Sequence, residues 1–385
     1  MKILIVRTYP DRLNLKSYNV QEVGLAKALT VKGHVCDVVL YNGPEDDKEE
    51  EYGFVKQGQS YYFKIYWLHG YKILKNGYMP TVNKLITQYD VIQVHEYDQL
   101  MSWNLYTKQV KPTVVYHGPY YDSFARGYNL KCKLFDFLCL SKRKYQDVVV
   151  LSKSKLATEF LHSKGFYNVD TVGVGIDLDN FGENLSLAAQ IKEIDSKSLL
   201  YVGKLEERRN IYFLVEVFRK IRKKDSGLKL IIIGNGEKTY KEQFLLSIGD
   251  ELEKGHIVYK ESATQVELVE YYNVASFFLL PSNYEIFGMV LLEAMYFGAP
   301  VISSLNGGSS TLIQNGYNGF IMNDFDVELW ADCIYSALQD ENGLMKMKKN
   351  ARNTIEQRYT WDVLVSRFMT GYMRAIEHFD NLENK

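Results

Sequence analysis

The chain has 385 residues, 46% of them hydrophobic and 24% charged, with a formal net charge of −1. That length asks for two domains, and the composition is that of a globular protein, which sets aside disordered, collagen-like and coiled-coil classes. Charge is uneven, with 23 Lys and Arg against 17 Asp and Glu over residues 1–170 and 23 against 30 over the rest, but nowhere dense enough for a nucleic-acid interface.

In chain order, "MKILIV" has an apolar run too short for the core of a signal peptide and reads as a first buried strand. Helical spacing follows over Asn19 to Lys32, closed by Gly33, then the strand "VCDVVL". The acidic "PEDDKEEEYG", Pro44 to Gly53, reads as a solvated loop. "DVIQV", "TVVYH" and "DVVVL" complete the strands of the first half. "LFDFLCL" is interleaved with Lys131, Lys133, Lys142, Arg143 and Lys144; this is either a solvated helix face or a surface that rests on an anionic membrane. The polar stretch after "DTVGVGIDLDNF" marks a boundary. Beyond it come "SLLYVG", "LKLIIIG", "HIVY", "SFFLLP" and "PVISS", with a helix over Ile211 to Lys224.

Strands apolar on both faces, alternating with helices, predict parallel sheets covered on both sides. The α/β class expected is two Rossmann-like doubly wound domains facing a central cleft. The first covers residues 1–172 plus a returning C-terminal helix at about 362–385, and the second covers 173–361. No stretch approaches the apolar length of a membrane span. Four scattered cysteines without a C-x-x-C pair point to a reduced, cytoplasmic compartment and no zinc site.

In doubly wound sheets, chemistry sits just after strands. "PSNYEIFGMVLLEA", Pro281 to Ala294, has that place, with a helix expected to start near Phe287 or Gly288 and free N–H groups at that start able to meet an anion. Were the segment helical throughout, Glu285 and Glu293 would lie about 12 Å apart along the axis. A retaining glycosidase needs its carboxyls at about 5 to 5.5 Å, and an inverting one at up to about 9.5 Å. Two contacts on one long ligand, or a helix with one polar edge, remain. Lys204 and Arg209 follow the strand "SLLYVG", where two cations can neutralise a diphosphate, while Arg208 reads as solvated. "DLD" at 177–179 and "DFD" at 324–326 match a weak metal motif, and no metal is expected.

"VGKLEERRN", "IIIGNGE", the block from Val266 to Phe320 and "VLSKSKLATEFLHSKGF" with "VGVGIDLDNF" resemble the retaining GT-B glycosyltransferases of glycosyltransferase family 4. The resemblance implies that Glu293 holds the nucleotide ribose and Glu285 the donor sugar. It implies donor contacts from Phe287, Gly288, Met289, Gly234 and Lys260, and catalytic roles for His117, Lys204, Arg209 and Glu285. Relatives have Arg then Lys where this chain has Lys204 then Arg209. The paired glycines usual after the first strand are missing, which points to acceptor recognition remodelled around Lys16, Ser17 and Tyr18, with His95 also on the acceptor side. Thr311 stands where relatives commonly have Glu.

The activity implied is metal-independent, retaining transfer of a hexose-type sugar from a nucleotide sugar, a UDP-sugar by preference, to a glycan or lipid-linked acceptor in cell-surface polysaccharide or glycolipid synthesis. No cofactor and no nucleic acid are expected; the place is the cytoplasm or the inner face of the membrane. The alternatives are an epimerase of the same fold and a non-catalytic nucleotide-sugar binding protein.

Overall fold

Short runs of Ile, Leu and Val that lack a polar side suit covered parallel strands, and each strand named above forms a parallel strand. The computed structural model describes residues 1–15, 20–73, 75–181 and 197–383. It divides into two units, Met1–Asp177 with Trp361–Lys385, and Leu178–Thr360.

The strands of the first unit are β1 (Lys2–Val6), β2 (Val35–Tyr41), β3 (Lys48–Lys56), β4 (Gln59–Leu68), a small separate hairpin β5 (Tyr71–Ile73) and β6 (Asn76–Tyr78), β7 (Val91–His95), β8 (Thr113–His117), β9 (Val149–Ser152) and β10 (Val169–Thr171). Eight of them form one sheet in the order β10-β9-β8-β7-β1-β2-β4-β3. All neighbours are parallel except β3, which runs antiparallel to β4. The second unit holds β11 (Ser198–Val202), β12 (Lys229–Ile233), β13 (Ile257–Lys260), β14 (Phe277–Leu280), β15 (Val301–Ser304) and β16 (Gly319–Met322). Their order is β13-β12-β11-β14-β15-β16, entirely parallel. Chain order therefore reverses beside β1 in one sheet and beside β11 in the other. Such a reversal is the place where doubly wound sheets ordinarily hold their ligand.

One sequence reading is corrected. The acidic segment at 44–53 is a loop only as far as Asp47; Lys48–Lys56 is the edge strand β3. It pairs with β4 from Lys48↔Trp67 to Lys56↔Gln59. Its alternate side chains stack on that neighbour, Tyr52 on Phe63 at 5.0 Å and Phe54 on Tyr61 at 5.5 Å. Gln57 (φ 50°) and Gly58 (φ 77°) close the hairpin, the two consecutive left-handed residues that a twisted hairpin needs. Glu49 and Glu51 occupy exposed positions of an edge strand, where charge discourages pairing with another chain, while Glu50 turns inward to accept from the Trp67 indole at 2.8 Å.

The C-terminal helix Trp361–Glu383 belongs with the first unit. Phe368 meets Tyr116 of β8 at 5.2 Å, and the Tyr372 hydroxyl donates to Gln93 of β7 at 2.8 Å. Trp361, 5% exposed, is admitted by two glycines: a Cβ on Gly24 or Gly175 would stand 2.2 or 2.3 Å from its indole. A buried ring so confined cannot give way. Gly175→Ala is therefore expected to destabilise the protein by about 1–3 kcal/mol, the usual cost of overpacking, read from urea denaturation. Unchanged stability would show that the indole is not held against this backbone.

Candidate active site

In the second unit, the loop from Gly203 to Asn210 leaves β11 and the loop from Pro281 to Gly288 leaves β14. Backbone ties join them: Asn283 N donates to Arg208 O at 2.8 Å. The second loop is also fixed from behind. Gly307 N donates to Glu285 O at 3.0 Å, and a Cβ on Gly308 would fall 1.6 Å from Phe287 O. The glycine pair of "NGGSSTL" thus lets one backbone lie directly on the other.

Glu285, 7% exposed, is where the two loops meet chemically. Its Oε1 accepts from Ser282 at 2.6 Å and from Arg208 Nη1 at 2.9 Å, and it is ion-paired with Arg209. Arg208 Nη1 also donates to Tyr284 O at 2.6 Å, and its Nη2 lies 2.8 Å from Glu206. Arg209 Nε lies 3.6 Å from the same Glu206 oxygen, attracted by charge without an aligned hydrogen bond. Arg208 is therefore not the solvated side chain expected from sequence: the chain turns at Asn210 (φ 49°), and both guanidiniums are aimed at one carboxylate. Lys204 is exposed, and its carbonyl accepts from the Tyr201 hydroxyl at 2.8 Å.

The helix after this loop is Met289–Tyr296, capped by Gly288 at φ 77°, a left-handed conformation that a side chain would strain. Glu285 lies ahead of the helix, so the spacing argument based on a continuous helix does not apply to it. Phe287 is buried beside Gly288, and Met289 opens the helix. Glu293, inside it, is 2% exposed, and its Oε2 accepts from the Tyr272 hydroxyl at 2.9 Å.

A cavity of about 680 Å³ opens at the ends of β11, β12 and β13. Lys204, Glu206, Gly234, Glu237, Ser262 and Leu268 are among its lining residues. Gly234 is required by contact, since a Cβ would lie 1.8 Å from Gly203 O; its amide donates to Lys260 O at 2.9 Å. The Lys260 ammonium lies 3.7 Å from Glu267 and over the ring of Tyr271. Thr311 donates back to Gly307 O at 3.0 Å, closing its own helix turn. Glu206 links the parts: it lines the cavity and holds both guanidiniums that reach Glu285.

The first unit has its own buried polar group at the corresponding strand ends. Glu96, just after β7, is 1% exposed with a left-handed backbone, φ 59°. Its carboxylate accepts from Tyr9 OH at 2.8 Å and Gly118 N at 3.0 Å, with Lys153 Nζ at 3.4 Å. His117 Nδ1 lies 2.6 Å away, at an angle that departs from a straight N–H···O line. Burial works to raise the Glu96 pKa, but Lys153, His117 and the Gly118 amide together hold it well below the usual carboxylate range. Non-glycine residues keep such a backbone only where their surroundings enforce it, which marks Glu96 as a candidate missed from sequence. Its one signal was a carboxylate directly after a buried strand.

His117 is fully buried, stacked on Phe160 at 5.7 Å. His95 is 2% exposed, with Nδ1 3.4 Å from Glu22. Lys16, Ser17 and Tyr18 lie outside the described residues. Among the described residues no three His, Cys, Asp or Glu side chains converge as metal ligands, and no helix is long and apolar enough to cross a membrane.

Residues 187–354 match the model of the family described as glycosyl transferases group 1. An uncharacterized glycosyltransferase of Methanocaldococcus jannaschii is 28% identical over 60% of this chain and 62% of its own length. D-inositol 3-phosphate glycosyltransferase of Mycolicibacterium smegmatis is 25% identical over 57% and 50%. The chain thus spans about half to three fifths of the curated relatives it matches. Among solved structures, sucrose-phosphate synthase from Thermosynechococcus elongatus aligns over 98% of this chain and 100% of its own at a TM-score of 0.68 and 16% identity. HepE from Anabaena, solved with UDP-glucose, aligns over 96% and 99% at 0.64 and 15%. The fold is GT-B. Within this GT-B chain, the family match falls on the unit that carries Glu285 and Glu293.

The buried histidine of the GT-B first unit makes its stability depend on pH. Burial, with Lys153 and Arg7 adding to it against the pull of Glu22 and Glu96, lowers the His95 pKa from 6.5 to about 4. Between those values the unfolded chain binds a proton that the folded chain refuses, so stability falls as pH drops from 6.5 toward 4. His95→Gln is expected to flatten that part of the curve in urea denaturation at stepped pH. An unaltered slope would mean that His95 is not the group responsible.

Proposed function

We propose that the protein is a retaining, metal-independent glycosyltransferase of family 4 that moves a hexose-type sugar from a UDP-sugar to a glycan or lipid-linked acceptor, with the second unit binding the donor and the first the acceptor. The observation that carries this reading is the convergence of Arg208, Arg209 and Ser282 on Glu285 at the chain reversal of the second sheet, beside a cavity of about 680 Å³. A pocket of roughly 300–1,000 Å³ at such a place suits a nucleotide-sized ligand. UDP-glucose in HepE and the nucleotide sugar in the trehalose-6-phosphate structure from E. coli, bound with UDP-2-fluoro glucose, favour a uridine donor.

Each side chain then has a distinct task. Arg208 and Arg209 are paired with Glu206 and Glu285, while Lys204 lines the cavity, and these cations meet the diphosphate oxygens. Free amides at the start of the helix Met289–Tyr296 add to that attraction. Tyr272 fixes one oxygen of Glu293 and so orients the carboxylate for the ribose hydroxyls. Glu285, held rigid by its cations, is turned toward the sugar hydroxyls, with Phe287, Gly288, Met289, Gly234 and Lys260 completing the donor site.

In transfer, the bond from the anomeric carbon to the diphosphate breaks and a bond to the acceptor oxygen forms on the same face. The acceptor proton passes to the departing phosphate oxygen, and the cations stabilise the charge that develops there. His117, Lys16, Ser17, Tyr18 and His95 are assigned to the first unit's part in this reaction.

Two substitutions test the division of labour. Glu293→Gln is expected to weaken UDP binding by roughly tenfold to a hundredfold, the loss of a charge-assisted hydrogen bond, and calorimetry showing unchanged affinity would remove Glu293 from the ribose. Glu285→Ala is expected to lower kcat by far more than it lowers UDP affinity. A change confined to binding would contradict the sugar role. A screen of nucleotide sugars for donor hydrolysis and transfer decides the activity itself: conversion of the donor without an acceptor means an epimerase, and binding without turnover means a binding protein.

A further inference from the structure

A surface helix ordinarily carries one apolar stripe, turned to the core. The helix Arg126–Leu138 of the first unit carries two. On its inner side Cys132 and Phe135 are buried, with Phe135 against Tyr97 at 5.9 Å. Beside them Lys131 pairs with the buried Asp98 at 2.9 Å, and Asp136 accepts from Tyr97 at 3.1 Å and pairs with Lys164. These contacts fix which side of the helix faces the core. Leu130, Leu134, Phe137 and Leu138 point away, at 70%, 58%, 77% and 46% exposure.

Those four positions fall within about 100° of arc at 100° per residue. On the edge of the stripe, Arg126 and Lys133 are exposed, and Lys142, Arg143 and Lys144 follow directly beyond the helix end. Phe124, 44% exposed, extends the apolar surface ahead of it. Between residues 124 and 144 the one carboxylate is Asp136, which Lys164 already neutralises. An apolar ridge about 12 Å long, bordered by cations, is therefore presented to the surroundings.

We propose that this face docks on a membrane surface containing anionic lipid, the ridge entering the acyl boundary and the lysines and arginines meeting the headgroup charges. A water-facing ridge of Leu and Phe has no other use for a surrounding of uncompensated positive charge, whereas a lipid interface takes both at once. The surface rests on the first unit alone and stands whether or not the sugar-transfer reading does.

Flotation of the full chain with vesicles tests it. Binding is expected to vesicles of phosphatidylcholine with phosphatidylglycerol, to be weak with phosphatidylcholine alone, and to decline as salt rises. The exposed pair Leu134→Ser and Phe137→Ser should lower the partition coefficient at least about tenfold, and Lys133→Glu or Lys142→Glu about fivefold each. Thermal melts matching the parent exclude unfolding as the cause. Binding that ignores these substitutions overturns the proposal. So does self-association in sedimentation that Leu134→Ser abolishes while vesicles bind nothing, because the ridge would then cover a second copy.

Discussion

A carboxylate taken out of water must be met by cations and N–H or O–H donors, or it will not stay ionised. Both units accept that constraint at the ends of their central strands. Glu285 is surrounded by two guanidiniums and a serine, Glu96 by an ammonium, an imidazole, a phenol and an amide. Because the donors come from different loops, each carboxylate works as a fastener: the loop after β11 cannot shift without exposing Glu285, and the loop after β8 cannot shift without exposing Glu96. Removing one partner of such a group costs more than the whole group gains, so the loops move together or not at all.

Backbone contact supplies the second level of rigidity. Side chains can rotate away from a neighbour, but peptide groups cannot, and the second unit sets peptide against peptide at Gly234 on Gly203 and at Gly308 on Phe287. The charged group and the cavity beside it are therefore held by parts of the chain with little freedom to adjust. Preorganisation of this kind lets fixed dipoles stabilise developing charge without rearrangement.

The sheets were legible because apolar runs of four or five residues bounded by turns have one good solution, the covered parallel strand. The hairpin β3-β4 was not, because the run from Glu45 to Glu51 carries the charge of a loop while its geometry is set by aromatic residues across the pair. Among the candidate residues, Glu285 and Glu293 stood out by their position just after a buried strand. Arg208 did not: three charged neighbours in "EERRN" differ only by the direction each faces, which the turn at Asn210 decides. Glu96 carried one signal, its place directly after a buried strand, which is too common to single it out. Its burial depends on Lys153 and His117, 57 and 21 residues further on, and no local pattern announces such a meeting.

Trp361–Glu383 completes a sheet whose last strand ends at Thr171. During synthesis, the residues from 178 to 360 must be made in between, which at about 5 to 20 residues per second takes roughly 10 to 40 s. Through that interval the faces of Tyr116, Leu151 and the two glycines that receive the indole stay uncovered. Of the two units, the one whose strands are made earlier is thus the later to close, and a chain lacking Trp361–Glu383 would be left with an open core.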